Sequence, residues 1–411
     1  MPNKNNAQLL GTFFSLYIAQ AVPMSFFSTA LQVMMRQQAF SLTTISLLQL
    51  IKLPWILKFL WSPIVDRQCM TVKDYKRWIV SSEIVYAVLI LGAGILRLET
   101  NIQLIIILVF LSLIASATQD IATDALAILS TRKEQKSFVN GMQSMGSFGG
   151  SLLGSGVLLM VLHHYGWNVV TICLSGFVLL ALVPLMMNKK LQLLHAKEPA
   201  HRAKWDDIIW FFTNRTVYPQ IGFLLLYYAS IMGLLSVVRP YMVDLGYNMK
   251  EIGALNGIVG ISAAMLVAYP ASMLIRRWGA EKVKVVFAVC ILLATVYFTL
   301  MSWSTPSKPW LVGGIILLWA CYGMGTVVVY TSAMFCVRKG LEGTDFTIQI
   351  VITHISGLLM TIASGRIADR LGYNGLFCIE TAIATLSLCY VTYFFCRARR
   401  SQKHITKSHD L

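Results

Sequence analysis

Apolar stretches of about twenty residues recur from near the first residue of this chain to near its last, with short basic breaks between them. A helix of that length crosses about 30 Å of hydrocarbon. Inside a bilayer the backbone has no water to bond, so helices or closed barrels are the structures open to it. Over 411 residues the composition is 56% hydrophobic and only 13% charged, against about 25% charged for a soluble domain. The pattern predicts an all-α polytopic membrane protein with twelve transmembrane helices. The expected spans are Gln8–Val33, Thr43–Ile64, Trp78–Arg97, Ile102–Leu129, Phe138–Leu162 and Trp167–Met187, then Val217–Tyr241, Ile252–Leu274, Lys284–Trp303, Trp310–Cys336, Phe346–Ser364 and Gly375–Cys396.

One long hydrophilic break, Asn188–Thr216, divides the spans six and six. The expected organisation is therefore an N-terminal six-helix bundle at residues 1–187, a cytoplasmic linker at 188–216, and a C-terminal six-helix bundle at 217–411 with a basic cytoplasmic tail. Trp205, Ile208, Ile209 and Phe212 are spaced as one face of a short interfacial helix within that linker. A repeat signal agrees with the division: the fifth and eleventh helices carry Gln143 and Gln349 at matching depths. The fifth also carries Gly146, Gly150 and Gly154, four apart on one face, where a neighbouring helix backbone can approach closely.

The net charge is +16, a value that raises nucleic acid as a partner. Its distribution argues for topology instead. With the N-terminus inside, most of the 34 Lys and Arg fall in the inward breaks, around Arg67–Arg77, Arg132–Lys136, Lys189–Arg215, Arg276–Lys284, Arg338–Lys339 and Arg397–Lys407. The positive-inside rule then places both termini in the cytoplasm, and no nucleic-acid partner is expected. The first apolar segment reads as a retained helix, being long and without a small-residue cleavage site. The eight cysteines form no Cys-x-x-Cys pair, so neither a disulfide framework nor a zinc site is expected.

Charge within the spans marks the candidate functional residues, because ionisable groups in hydrocarbon are costly. The second span holds Lys52 and Lys58, and Asp66–Arg67 follows it; the fourth holds Gln119, Asp120 and Asp124. Asp120 and Asp124 lie one turn apart on one helix face. Two like charges so close do not both ionise cheaply, which makes the pair a candidate for proton coupling; an ion pair with a lysine of the second helix is the structural alternative. Lys52 and Lys58 point about 120° apart on an ideal helix. Lys52 is expected to lie deeper and to meet Asp120 or an anionic substrate, while Lys58 can snorkel to the inner surface. Arg36 and Arg239 stand near outer helix ends, as a basic vestibule or as interfacial anchors. His354 and Glu380 are intramembrane polar groups in the last two helices, with packing as the plain alternative for His354. Gln20, Gln49, Gln143 and Gln349 are further candidates to line a polar path. No zinc-protease, nucleophile-elbow or phosphate-loop signature occurs, so no enzyme activity and no cofactor are expected.

These residues resemble the major facilitator superfamily. Its charged turn between helices two and three is approximated by Ser62-Pro63-Ile64-Val65-Asp66-Arg67, with Lys76 and Arg77 displaced downstream as the rest of a gating motif. A cleaner copy, Gly365-Arg366-Ile367-Ala368-Asp369-Arg370-Leu371-Gly372, follows the eleventh span, which the topology above places outside. Lys58-Phe59-Leu60-Trp61-Ser62-Pro63 and Ala117-Thr118-Gln119-Asp120-Ile121-Ala122-Thr123-Asp124 are similar to the branch of muropeptide permeases and rhizobactin- or pyochelin-type siderophore permeases. Leu53-Pro54-Trp55, Asn140-Gly141-Met142-Gln143 and Gly343 to Gln349 tilt toward the siderophore group. The resemblance implies two six-helix bundles and a bacterial inner membrane. It also implies secondary, proton-coupled import of a small solute: a ferric siderophore first, a muropeptide or another anionic solute as the alternative. A membrane receptor and an intramembrane enzyme are the readings of another class.

Overall fold

A computed structural model describes residues 4–37, 48–194 and 203–409. Its secondary structure is helical throughout the described residues. Contacts divide it into two compact units, Met1–Phe211 with Ala333–Val351 and Phe212–Ser332 with Ile352–Leu411.

The first unit opens with α1 (Lys4–Gln37). The expected second span starts in residues outside the described part and continues as a broken helix: a 3-10 turn at Leu48–Lys52, α2 (Leu53–Leu57), a 3-10 turn at Lys58–Leu60 and α3 (Ser62–Gln68). Pro54 and Pro63 each sit in the first turn of a new segment, where the missing N–H costs nothing, whereas either would break a continuous helix. Next come α4 (Val72–Ile95), α5 (Leu98–Ser130), α6 (Lys136–Leu152), α7 (Leu158–Leu180) and α8 (Val183–Met187). Thr71 and Asp74 close a reciprocal capping box on α4, which fixes where the chain turns back after α3. The linker forms α9 (Asp206–Thr213). Ile209 and Phe212 are exposed on it, as is Trp205 just before it, while Phe211 is buried. His195, Lys197, His201 and Arg202 of the linker lie outside the described residues.

The second unit is built from α10 (Tyr218–Leu226), α11 (Ala229–Asp244), α12 (Met249–Ile252), α13 (Ile261–Trp278), α14 (Ala280–Ser302) and α15 (Lys308–Phe335). The last helix, α16 (Glu342–His409), begins in the first unit and continues into the second. Inside the second unit, Tyr227 donates to the Lys284 carbonyl at 2.8 Å and Ser356 to the Leu225 carbonyl at 2.6 Å.

Among the described residues nine helices are long and apolar enough to cross a membrane, and two of these, Lys133–Met187 and Glu342–Cys396, are 55 residues long. At 1.5 Å per residue such a helix would reach about 80 Å, far beyond one bilayer. Each holds one positive-φ turn, at Gly166 (φ +80) and Gly372 (φ +67), in a backbone region that favours glycine. Each is therefore two crossings, as the expected spans on either side of residues 163–166 and 365–374 require. With the proline-broken segment, the count comes to twelve.

The glycine face of α6 packs on α1. A Cβ on Gly146 would lie 3.1 Å from the Ile18 nitrogen, and one on Gly150 would lie 3.0 Å from the Val22 nitrogen. Backbone thus rests directly against backbone. This close fit brings the polar residues of α1 up to those of α5 and α6.

Candidate functional site

The polar residues of the first unit converge inside it rather than on its surface. Lys58 is 1% exposed, and Asp120 and Asp124 are 2% and 1% exposed. Lys58 forms an ion pair with Asp120, and its ammonium also sits 4.9 Å from the centre of the Trp55 ring. Asp124, one turn along α5, accepts at Oδ1 from the Tyr17 hydroxyl at 2.8 Å and from Gln143 Nε2 at 3.3 Å. Gln20 Nε2 donates to Gln119 Oε1. Trp61 Nε1 donates to Thr118 at 3.1 Å. Four elements thus contribute: α1 through Tyr17 and Gln20, the broken second segment through Trp55, Lys58 and Trp61, α5 through Thr118, Gln119, Asp120 and Asp124, and α6 through Gln143.

The expected order of the two lysines is reversed. Lys58, not Lys52, is the buried partner of Asp120; Lys52 closes the first 3-10 turn and is only partly buried. The reason is local. Two 3-10 turns and two proline starts replace the ideal helix on which the depths were judged, and the tighter winding re-aims every side chain after Pro54.

The charge balance of the cluster is uneven. Two carboxylates face one ammonium, and Asp124 Oδ2 accepts no hydrogen bond among the described residues. A buried charge needs a partner, and here one acid shares its cation with a neighbour one turn away.

The charged turn organises a second contact. Asp66 is 2% exposed and accepts from the Gly343 nitrogen at 3.2 Å, the Thr344 nitrogen at 2.6 Å and the Thr344 hydroxyl at 2.8 Å. These are the orphan donors at the start of α16, where a carboxylate is favoured by both hydrogen bonding and the helix dipole. Lys76 donates to the Leu185 and Asn188 carbonyls, each at 2.8 Å, at the end of α8 where carbonyls lack helical partners. Arg67 and Arg77 are exposed. Nearby, Arg338 binds Asp345 at 2.6 Å and Asp207 at 3.1 Å and lies 4.1 Å from the Trp210 ring centre. The linker helix is therefore held to its unit and is not simply solvated.

The remaining candidates scatter. Gln349 is fully buried and donates to the carbonyls of Ala333, Cys336 and Asp345, so it ties off the end of α15 rather than lining the ion-pair cluster. Arg239 and His354 are exposed. Glu380, in the second unit, is fully buried and accepts from Ser364 at 2.6 Å. The side chains of Arg36 and Gln49 lie outside the described residues. Sequence reasoning passed over Tyr17, although it stands one turn from Gln20 on α1, and named Trp55 only as part of a family motif. It also passed over Glu83, the one acid within the expected span Trp78–Arg97.

The fold and this buried cluster define a polytopic membrane transporter. The chain belongs to the Major Facilitator Superfamily, whose family pattern matches residues 10–348. Its all-α architecture of twelve spans in two six-helix bundles is the fold of that superfamily, and the protein is a transporter rather than an enzyme. Among curated proteins it is similar to the anhydromuropeptide permease of Escherichia coli (strain K12), 20% identical over 377 residues covering 91% of this chain and 77% of that one. Among solved structures it is similar to FucP, a superfamily transporter in the outward conformation, with TM-score 0.69, 15% identity, and coverage of 95% of this chain and 99% of that one. It is also similar to a bacterial homologue of the iron transporter ferroportin, in its outward-facing state with soaked iron, with TM-score 0.67, 16% identity and the same coverages. At these identities the structural likeness concerns the fold alone.

Proposed function

We propose that the chain is a proton-coupled secondary importer of the bacterial inner membrane, with both termini in the cytoplasm, and that it carries an anionic solute of the muropeptide class. The observation that carries this reading is the buried Lys58–Asp120 pair with Asp124 beside it. A proton on Asp124 brings the three groups to neutrality, and an anionic substrate near Lys58 competes with Asp120 for its one cation. Proton and substrate thus act on the same charge balance. The orientation of the termini draws support from the basic inward breaks. The muropeptide class draws support from the permease similar over 91% of this chain.

A ferric siderophore is the second reading, carried by Leu53-Pro54-Trp55, Asn140 to Gln143 and Gly343 to Gln349. A strain deleted for this gene, complemented with the wild-type chain, separates the two. Uptake of radiolabelled anhydromuropeptide restored by the chain, with no gain in ferric-siderophore uptake, is the expected result. The reverse pattern assigns the siderophore.

A further inference from the structure

The first unit buries another acid that the ion-pair cluster does not use. Glu83 stands midway along α4, a helix of 24 residues, and is 0% exposed. Neither of its carboxyl oxygens is hydrogen-bonded among the described residues. Tyr86 follows Glu83 by one turn, and its phenol faces both Glu83 and Ser116 of α5. All three side chains are fully enclosed.

Among the described residues no cation is paired with this carboxyl. On α5, Asp120 follows Ser116 by one turn, and its charge is met by Lys58. On α7, which packs against the other side of α4, Ser175 donates to the Ala87 carbonyl at 3.0 Å. The remainder of α7 from there, residues 175–180, holds no titratable side chain. Tyr86 on α4 and Asp120 on α5 are the titratable groups next along these helices among the described residues. An ionised carboxylate with no cation beside it, in the middle of a membrane span, is costly. A neutral carboxylic acid escapes that penalty and donates its O–H to a neighbouring hydroxyl.

We propose that Glu83, Tyr86 and Ser116 form a proton-binding site separate from the Lys58–Asp120–Asp124 cluster, with the proton held on the Glu83 carboxyl. The ligand is a proton rather than a metal cation. One carboxyl and two hydroxyls supply fewer oxygens than the six or more that hard cations gather.

Infrared spectra of the purified full-length protein in lipid vesicles near neutral pH test this. The carbonyl stretch of a protonated carboxylic acid should be present in the wild type and weakened in Glu83→Gln, while Asp124→Asn retains the Glu83 contribution. The Asp124 comparison keeps this proposal distinct from the coupling reading, which can fail alone. If Glu83→Gln does not fold, Tyr86→Phe in folded protein should shift the same band. An acid band identical in wild type and Glu83→Gln, or unmoved by Tyr86→Phe where that is the variant available, overturns the proposal. So does loss of the band when potassium chloride is replaced by sodium chloride, which would mark a cation site.

Discussion

The Asp66 carboxylate accepts the backbone N–H of Thr344 at 2.6 Å, across 278 residues of chain. With the Gly343 nitrogen and the Thr344 hydroxyl also bound, a single side chain takes up two of the opening amides of α16. Hydrogen bonds to a charged group contribute about 1.5–3 kcal/mol each. Asp66→Ala should therefore deprotect the amides at the start of α16 in hydrogen exchange, and Asp66→Asn should do so less. Wild-type protection of Gly343 and Thr344 in the alanine variant would contradict the capping role.

The buried pair makes an asymmetric stability prediction. Removing one partner of a buried ion pair costs about 3–5 kcal/mol, whereas replacing both by apolar groups is often neutral. Lys58→Met should lower thermal stability sharply, and adding Asp120→Leu should recover most of the loss without recovering transport. Lys52→Gln should leave stability close to wild type, because Lys52 is only partly buried. A double variant as unstable as Lys58→Met alone would show that the pair does not act as a unit.

Packing of α6 on α1 separates two glycines. A Cβ at Gly150 would lie 2.5 Å from the Ala21 Cβ, whereas one at Gly156 would meet nothing within 4 Å. Gly150→Ala should lower the melting temperature. Gly156→Ala should leave it unchanged or raise it, since alanine is better than glycine in a helix by about 0.5–1 kcal/mol. Equal effects of the two substitutions would rule out the close α1–α6 approach.

Arg338 grips the linker helix through planar geometry: two acids and the face of Trp210. Lysine keeps the charge but not the fork or the stacking surface. Arg338→Lys and Arg338→Gln should both speed proteolysis within residues 203–213. Full protection in the lysine variant would mean that charge alone holds the helix.

Much of this was legible because hydrocarbon imposes a length and a polarity rule on every span. The breaks at Gly166 and Gly372 fall where the apolar runs pause, and Asp120 and Asp124 stand out as acids in an apolar run. The depth of Lys58 was not legible, since it follows from 3-10 turns on either side of the Pro54 segment that an ideal helical wheel misplaces. Asp66 read as part of a charged turn, but its partner Thr344 lies too far along the chain for any local pattern to reveal. Glu83 was missed because it falls within the first half of its span, where a carboxylate reads as near the interface; its full burial comes from α5 and α7 packing over it.

The central claim is that protonation of the Asp120–Asp124 pair couples to movement of the substrate. Purified wild type and Asp124→Asn in proteoliposomes, supplied with radiolabelled anhydromuropeptide, test it most directly. The account predicts that Asp124→Asn loses accumulation driven by an imposed proton gradient while keeping exchange of external for internal substrate, which moves no net proton. Accumulation by Asp124→Asn equal to that of the wild type under the same gradient would contradict it.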